Sequence, residues 1–104
     1  MRILMVDDNV DATLPLRMLL EATGHDVTVV HRGKDALALV NQEFGAILLD
    51  LTLPDISGGE VARAFAPHPL LIAISGRDRS DADPVFTHFL QKPVSFDALE
   101  ALLG

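Results

Sequence analysis

The stretch Ala46-Ile47-Leu48-Leu49-Asp50-Leu51-Thr52-Leu53-Pro54 is the clearest indication of the fold. Four consecutive apolar residues are followed at once by a carboxylate, Asp50. A continuous apolar run of this length is typical of a buried strand, covered on both faces as in parallel sheets. In such sheets ligands bind outside the carboxyl ends of the strands. The stretch therefore predicts a central strand that presents Asp50 at the ligand-binding edge.

Similar short runs recur on both sides of this strand, and amphipathic segments separate them. The other four runs are Ile3–Val6, Val27–Val30, Leu70–Ile74 and the weaker Thr87–Leu90. Alternating strands and helices predict parallel pairing with right-handed crossovers, and hence an α/β three-layer sandwich. The first, third and fourth runs are the most apolar and suit central positions. We therefore predict a flavodoxin-like, five-stranded parallel sheet in the order 2-1-3-4-5.

The helical segments differ in length and in how clearly their ends are marked. The first is predicted to begin near Asp11, which would place Pro15 in the first turn, where a missing N–H costs no helical bond. The second begins after Gly33 and includes Ala36, Leu37, Leu39 and Val40, the third ends at Pro67, and the last has Ser95 as its N-cap. Few apolar residues lie between residues 77 and 85, so the fourth helix should be shortened or irregular.

Composition limits the class of protein. The chain has 104 residues, enough for a single domain spanning residues 1–104, and it contains no cysteine, so a disulfide framework or thiolate metal site is excluded. Its net charge of −7 argues against nucleic acid and anionic membranes as partners. The apolar runs are too short for a membrane span or a signal-peptide core. We therefore expect a cytoplasmic protein.

Polar residues follow the predicted strands at one shared edge of the sheet. They are Asp7 and Asp8 after strand 1, Asp50 after strand 3, Ser75 after strand 4 and Lys92 after strand 5. Three neighbouring carboxylates require a proton or a cation between them, and an all-oxygen set suits Mg²⁺. A carboxylate beside Mg²⁺ can attack phosphorus, while an ammonium and a hydroxyl can bind phosphoryl oxygens. The strand ends therefore predict a site for phosphoryl transfer to an aspartate.

These residues carry a resemblance to a known family that covers essentially the whole chain. The chain resembles the receiver domain of bacterial two-component response regulators, including the single-domain, chemotaxis-regulator-like members. The matching segments are Met5-Val6-Asp7-Asp8-Asn9, Leu48-Leu49-Asp50-Leu51-Thr52-Leu53-Pro54 with Gly58, Ala73-Ile74-Ser75-Gly76 and Gln91-Lys92-Pro93. The resemblance implies phosphorelay signalling, with Asp50 as the phosphorylation site. It also implies that Asp8, Asp50 and the backbone carbonyl of Thr52 bind Mg²⁺ directly, and that Asp7 holds the ion mainly through water.

The resemblance further implies a conformational switch and a set of partners. Ser75 matches the hydroxyl that moves toward the phosphoryl group, and Phe89 matches the aromatic residue whose rotamer follows. Lys92 is the expected counter-charge, and the bond before Pro93 is cis in this family. The phosphoryl donor would be a sensor histidine kinase or a histidine phosphotransfer protein, and the output would pass to a downstream protein. The sequence leaves open whether the chain stands alone or belongs to a hybrid histidine kinase.

Three other functions compete with this interpretation. An aspartate-nucleophile phosphohydrolase usually has a second Asp two residues after the nucleophile, but that position is Thr52. A flavodoxin-like nucleotide binder needs hydroxyls and amides after strand 1, where Asp7 and Asp8 would repel phosphate. A receiver that works as an unphosphorylated interaction module would not need the acid, hydroxyl and lysine set. The receiver itself should catalyse only its own phosphorylation and dephosphorylation, and no reaction on other substrates.

The remaining polar residues suggest no second site. The four histidines show no i,i+4 pairing, so we predict surface or edge positions for His25, His31, His68 and His88. Charges of both signs follow strand 4, at Arg77, Asp78, Arg79 and Asp81, and are typical of a solvated loop.

Overall fold

The computed structural model describes residues 1–65, 69–76 and 83–103. Within them a single sheet contains five parallel strands in the order β2-β1-β3-β4-β5. The strands are β1 (Arg2–Val6), β2 (Asp26–Val30), β3 (Ala46–Asp50), β4 (Leu70–Ser75) and β5 (His88–Gln91). The predicted strand order and parallel pairing are confirmed.

Four described helices cover the two faces of the sheet. They are α1 (Val10–Ala22), α2 (Gly33–Leu37), α3 (Gly58–Phe65) and α4 (Phe96–Leu103). One core cluster joins the sheet to Ala36 of α2 and to Val61 of α3. A second cluster, on the opposite face, joins it to Leu20 of α1 and to Leu99 of α4. This arrangement is the predicted three-layer sandwich.

Burial explains why the apolar runs become central strands. All five residues of β3 are buried, and β1 and β4 each have a single residue that is not. β2 and β5 are largely half-buried, as edge strands are when each pairs on one side only. Continuous apolar sequence therefore coincides with cover on both faces.

Helix α1 begins one residue earlier than the sequence pattern suggests. The Asn9 side chain accepts a hydrogen bond from the Ala12 N–H at 3.2 Å and caps the helix. Pro15 is consequently the sixth helical residue and lies in the second turn. The prediction that it lies in the first turn was wrong: even a helix that begins at Asp11 makes Pro15 its fifth residue, beyond a first turn of about 3.6 residues, and the Asn9 cap sets the start one residue earlier still. The proline ring removes one backbone donor from the second turn.

Helix α2 is shorter than predicted and ends at Leu37, with turns beyond it. Ser95 caps α4 as expected, accepting a hydrogen bond from the Ala98 N–H at 3.3 Å. Pro67, His68 and the charged residues between 77 and 82 lie outside the described residues. Most of the segment between β4 and β5, for which the sequence predicted a shortened or irregular helix, also lies outside the described residues.

The described residues just before β5 form a turn rather than a helix. The Asp83 carboxylate accepts a hydrogen bond from the Val85 N–H at 2.9 Å and forms an ion pair with Arg63 of α3. Val85 and Phe86 pack against the core cluster beneath α3. This turn therefore helps to cover the face of the sheet that α2 and α3 also cover. Across the described part of the chain, every helix is too short or too polar to cross a bilayer.

Candidate functional site

Three carboxylates converge where strands β1 and β3 end side by side. Asp7 and Asp8 follow β1, and Asp50 is the last residue of β3. Carboxylate oxygens of these three residues lie within 4.8 Å of one another. Asp7 and Asp50 are buried, whereas Asp8 is exposed. The structure thus brings together the acidic residues that the sequence predicted.

The Asp50 carboxylate is almost fully enclosed, with 1% of the residue exposed. Its Oδ1 accepts hydrogen bonds from the Thr52 N–H at 2.9 Å and from the Thr52 hydroxyl at 2.8 Å. Its Oδ2 lies 3.2 Å from the Nζ of Lys92, which reaches across from the end of β5. Each oxygen therefore has a defined partner, which fixes the orientation of the group.

The Asp7 carboxylate also faces the Lys92 ammonium, but its other hydrogen-bond partner is Asn9 rather than Thr52. Its Oδ2 lies 3.6 Å from Lys92 Nζ, and its Oδ1 accepts a hydrogen bond from the Asn9 N–H at 2.9 Å. The Asn9 residue that caps α1 therefore also orients Asp7. One ammonium faces two carboxylates, so the site carries excess negative charge.

The two buried carboxyls titrate in opposite directions. Burial raises the pKa of Asp7, and the neighbouring Asp50 raises it further, against the opposing effects of the Asn9 hydrogen bond and Lys92. Burial acts to raise the pKa of Asp50 too, but hydrogen bonds from Thr52, Asp7 and Lys92 outweigh it and hold that pKa below its ordinary value. Burial also acts to lower the pKa of Lys92, but the two carboxylates hold it above its ordinary value. A first proton therefore goes to Asp7, and Asp50 stays ionised.

The predicted switch residues lie on the two neighbouring strands. Ser75 ends β4 with 1% exposure, and its carbonyl accepts a hydrogen bond from the Lys92 N–H at 2.8 Å. Phe89 of β5 is half-buried and is paired in register with Ala73. Since residues two apart share a face of a strand, Phe89 lies on the same face of the sheet as Ser75. The peptide bond between Lys92 and Pro93 is cis, the isomer that the resemblance implies.

The donor set fits a hard divalent cation. Three carboxylates and backbone carbonyls are oxygen ligands of the kind that Mg²⁺ binds. Lys92 balances one of the three negative charges, so a cation would relieve the remaining repulsion. Asp8 is exposed, and 12% of the Asp7 side chain is accessible although the residue as a whole is buried, so the acidic cluster is open to an ion from solvent.

Two contributions to the site were missed by sequence reasoning. Thr52 was expected to act through its backbone carbonyl, yet its hydroxyl and N–H both donate to Asp50. His31 was predicted to be a surface or edge residue. It follows the edge strand β2, but its ring is half-buried and its Nδ1 lies 2.8 Å from the Asp7 carbonyl oxygen. No pairing pattern marks His31, so no local signal could have revealed that contact.

The chain is similar to receiver domains in both sequence and fold. The response regulator receiver domain family matches residues 3–103. The CheY-like receiver domain from Methylobacillus flagellatus superposes with a TM-score of 0.85 at 29% identity, over 98% of this chain and 94% of that one. The receiver domain of the sensor histidine kinase PA1611 from Pseudomonas aeruginosa, with magnesium coordinated in its active site cleft, gives 0.84 at 25% identity, over 98% and 93%.

A curated relative covers the full length of the chain. The aerobic respiration control sensor protein ArcB of Escherichia coli is 29% identical over 114 residues, which include 99% of this chain and 15% of ArcB. The chain spans about a quarter of the length of the transcriptional regulatory proteins that it matches. With the family match extending over nearly every residue, the chain belongs to the response regulator receiver domain family.

Proposed function

We propose that residues 1–104 form one receiver domain that accepts a phosphoryl group on Asp50 from a phosphohistidine. The observation that carries the proposal is the contact of 3.2 Å between Lys92 Nζ and Asp50 Oδ2, beside an acidic cluster whose oxygens lie within 4.8 Å of one another. A nucleophile, a counter-charge and a cation site are thereby combined in one cleft. Phosphoryl transfer needs little more from a protein than such positioning and charge stabilisation.

The transfer would proceed by attack of an Asp50 carboxylate oxygen on phosphorus. A P–O bond forms, the P–N bond of the phosphohistidine breaks, and the electron pair of that bond stays on the imidazole nitrogen. The lowered pKa of Asp50 keeps the nucleophile ionised. Because Asp50 is almost fully enclosed, Lys92 must move off its Oδ2 as the phosphoryl group arrives, and it then pairs with a phosphoryl oxygen.

Asp8, Asp50 and the Thr52 carbonyl would hold Mg²⁺, with Asp7 acting mainly through water. When bound, the ion supplies positive charge that neutralises the phosphoryl oxygens during transfer. The excess of carboxylates over ammonium supports this assignment. The magnesium held by the receiver domain of PA1611 is a precedent in a structural relative.

Phosphorylation would shift an equilibrium between two conformations of the β4–β5 side of the domain. Ser75 would bind a phosphoryl oxygen, and Phe89 would change its rotamer in response. Their placement on one face of adjacent strands supports this coupling. The changed face would then bind a downstream protein.

The phosphoryl donor would be a sensor histidine kinase or a histidine phosphotransfer protein. Histidine kinases obtain the group from ATP, so we place the domain in the cytoplasm. The match to the sensor protein ArcB is compatible with a hybrid kinase as the protein to which this domain belongs. We propose no reaction on other substrates, because Thr52 occupies the position where a phosphohydrolase would carry its general acid. We also propose no nucleic-acid or membrane partner, because the chain is acidic.

Beryllofluoride, which mimics a phosphoryl group on aspartate, tests the proposal. Added to protein already saturated with Mg²⁺, it should further shift the amide resonances around Asp50, Ser75 and Phe89 in the wild type and cause no further shift in Asp50→Asn. Absence of any shift in a folded wild type would refute acceptance at Asp50 and favour an unphosphorylated interaction module. Turnover of small phosphate esters by catalytic amounts of protein would instead favour the phosphohydrolase.

A further inference from the structure

The end of strand β2 leaves a gap in the backbone ladder next to the acidic cluster. The Asp7 N–H donates to the Val30 carbonyl at 3.2 Å, which continues the parallel ladder one step beyond Val6. In a parallel ladder, the Asp7 carbonyl would next accept a hydrogen bond from the backbone of residue 32. β2 ends at Val30, however, and Arg32 is already the N-cap of α2.

The His31 side chain occupies the place of that backbone donor. Its Nδ1 lies 2.8 Å from the Asp7 carbonyl oxygen. A carbonyl oxygen can only accept, so Nδ1 must carry the hydrogen. A neutral His31 is therefore the Nδ1–H tautomer, the less common form of free histidine, and its Nε2 is unprotonated.

The bonded carbonyl belongs to the peptide group that joins Asp7 to Asp8. Fixing this peptide restrains the backbone torsions on both sides of it, and thereby the directions in which the two side chains leave the strand end. The Asp7 carboxylate is further oriented by the Asn9 N–H and by Lys92. Asp8 is exposed. Among the contacts of the described residues, the peptide that it shares with Asp7 is the one that restrains it.

We infer that His31 is a positioning residue for the acidic cluster: its imidazole replaces the missing ladder donor and holds the Asp7–Asp8 peptide in the geometry that binds a divalent cation. The inference rests on the proposed function, because it assigns His31 a role in the binding of Mg²⁺. His31 does not touch the ion; it acts through the peptide. Residues that orient metal ligands in this way commonly contribute 10–100-fold to metal affinity.

His25 provides a matched control elsewhere in the sheet. It is also half-buried, and its Nε2 lies 3.2 Å from Glu100 Oε1. It precedes β2, at the opposite end of the strand from His31. Removal of its ring nitrogens should disturb packing to a similar degree without affecting the acidic cluster.

The experiment compares Mg²⁺ affinity, measured by NMR titration, in four proteins. His31→Phe keeps a ring but has no donor, and should bind Mg²⁺ about tenfold more weakly than the wild type. His31→Asn keeps an N–H near the Nδ1 position and should recover most of the affinity. His25→Phe should match the wild type. Equal affinity in wild type and a folded His31→Phe would overturn the inference and leave the proposed function standing, whereas a wild type that binds no Mg²⁺ would overturn both.

A second measurement needs no variant, so it stands even if His31→Phe fails to fold. In alkaline buffer, ¹⁵N spectra of the imidazole should show His31 with a protonated Nδ1 and an unprotonated Nε2. As a separate readout in the variants of the first experiment, the Asp8 amide, whose nitrogen shares the bonded peptide, should shift in His31→Phe and return toward the wild-type position in His31→Asn. A His31 ring protonated at Nε2 alone would exclude the hydrogen bond, and the inference would fail with it.

Discussion

The Nζ of Lys92 lies 3.2 Å from Oδ2 of Asp50, and this contact joins the end of β5 to the end of β3 across the intervening strand β4. The same ammonium lies 3.6 Å from Asp7. Lys92 is thus the shared counter-charge of two buried carboxyls whose pKa values move in opposite directions.

Removal of the ammonium should destabilise the fold. In Lys92→Met the buried Asp50 loses its charged partner, so its pKa should rise. Breaking a buried pair costs 3–5 kcal/mol, but nearly a third of the Lys92 side chain is exposed and water screens the interaction. We expect a loss of about 1–2 kcal/mol in the free energy of unfolding, measured with urea near neutral pH. Lys34→Met, at an exposed position, is the control, and an equal loss in both variants would rule out a specific role for Lys92.

Neutralising Asp7 should have opposite effects on stability and on metal binding. The raised pKa of Asp7 means that its ionised form is unfavourable in the folded protein, chiefly because it is buried and close to Asp50. Asp7→Asn keeps an acceptor for the Asn9 N–H and removes the charge. Without Mg²⁺, its free energy of unfolding should exceed that of the wild type by about 1 kcal/mol.

Mg²⁺ should reverse that order. An ion that binds the folded state alone should stabilise the wild type in proportion to the logarithm of its concentration above Kd. Asp7→Asn, which lacks one of the acidic groups, should gain less. Thermal unfolding with and without Mg²⁺ measures both effects, and a variant that is less stable than the wild type without Mg²⁺ would show that the Asp7–Lys92 attraction outweighs the repulsion.

The stability contributed by Asp50 should be lost in acid. Its pKa in the folded protein is below the ordinary value, so its ionised form favours folding at any pH above the unfolded pKa of about 3.9. As the pH falls through the folded pKa, this contribution disappears. Asp7 titrates in the opposite sense, so it is best removed from the comparison.

The pair Asp7→Asn and Asp7→Asn/Asp50→Asn isolates the effect of Asp50. In that background, hydrogen bonds from Thr52 and Lys92 still lower the pKa of Asp50. The free energy of unfolding of Asp7→Asn minus that of Asp7→Asn/Asp50→Asn should be constant near neutral pH and should decrease below about pH 4. An increase in this difference on acidification would show that burial dominates and that the pKa of Asp50 is raised.

The sheet order and the meeting of four strand ends could be predicted from sequence because both follow from periodicity. The uninterrupted apolar run of β3 requires cover on both faces, and parallel strands bring Asp7, Asp50, Ser75 and Lys92 to one edge whatever the details of the loops. The start of α1 could not be fixed to the residue, because it depends on the Asn9 side chain reaching the Ala12 N–H.

The contacts of His31 and of the Thr52 hydroxyl could not be predicted for a different reason. The His31 contact exists because β2 ends one step before the ladder with Asp7 is complete, which is a property of register between two strands. The Thr52 contact depends on how the chain turns after Asp50, which brings a hydroxyl back to Oδ1. Both depend on three-dimensional placement that no periodic pattern encodes.

The start of α3 should tolerate no side chain next to the Asp50 loop. A Cβ added at Gly58 would lie 2.8 Å from Leu49 Cδ2, 3.0 Å from Leu51 Cδ2 and 3.4 Å from the Asp50 carbonyl oxygen. Leu49 is fully buried, so it has no free space into which to move. We expect Gly58→Ala to lower the free energy of unfolding by about 1–3 kcal/mol, the usual cost of overpacking, partly offset by the better helix propensity of alanine.

Gly59→Ala, at the next residue, separates this clash from the general effect of an added methyl group. There the nearest atoms all belong to Asp83, with Oδ2 at 2.5 Å, Cγ at 3.0 Å and Cβ at 3.1 Å, on a side chain that is 28% exposed and pairs with Arg63. Gly59→Ala should therefore lose less stability in urea unfolding than Gly58→Ala, because the contacts that it displaces are partly exposed whereas Leu49 is fully buried. Gly58→Ala should also shift the amide resonances of residues 50–53, because Leu49 and Leu51 flank Asp50. Equal stability of the two variants would show that the loop beside Asp50 can move to admit a methyl group.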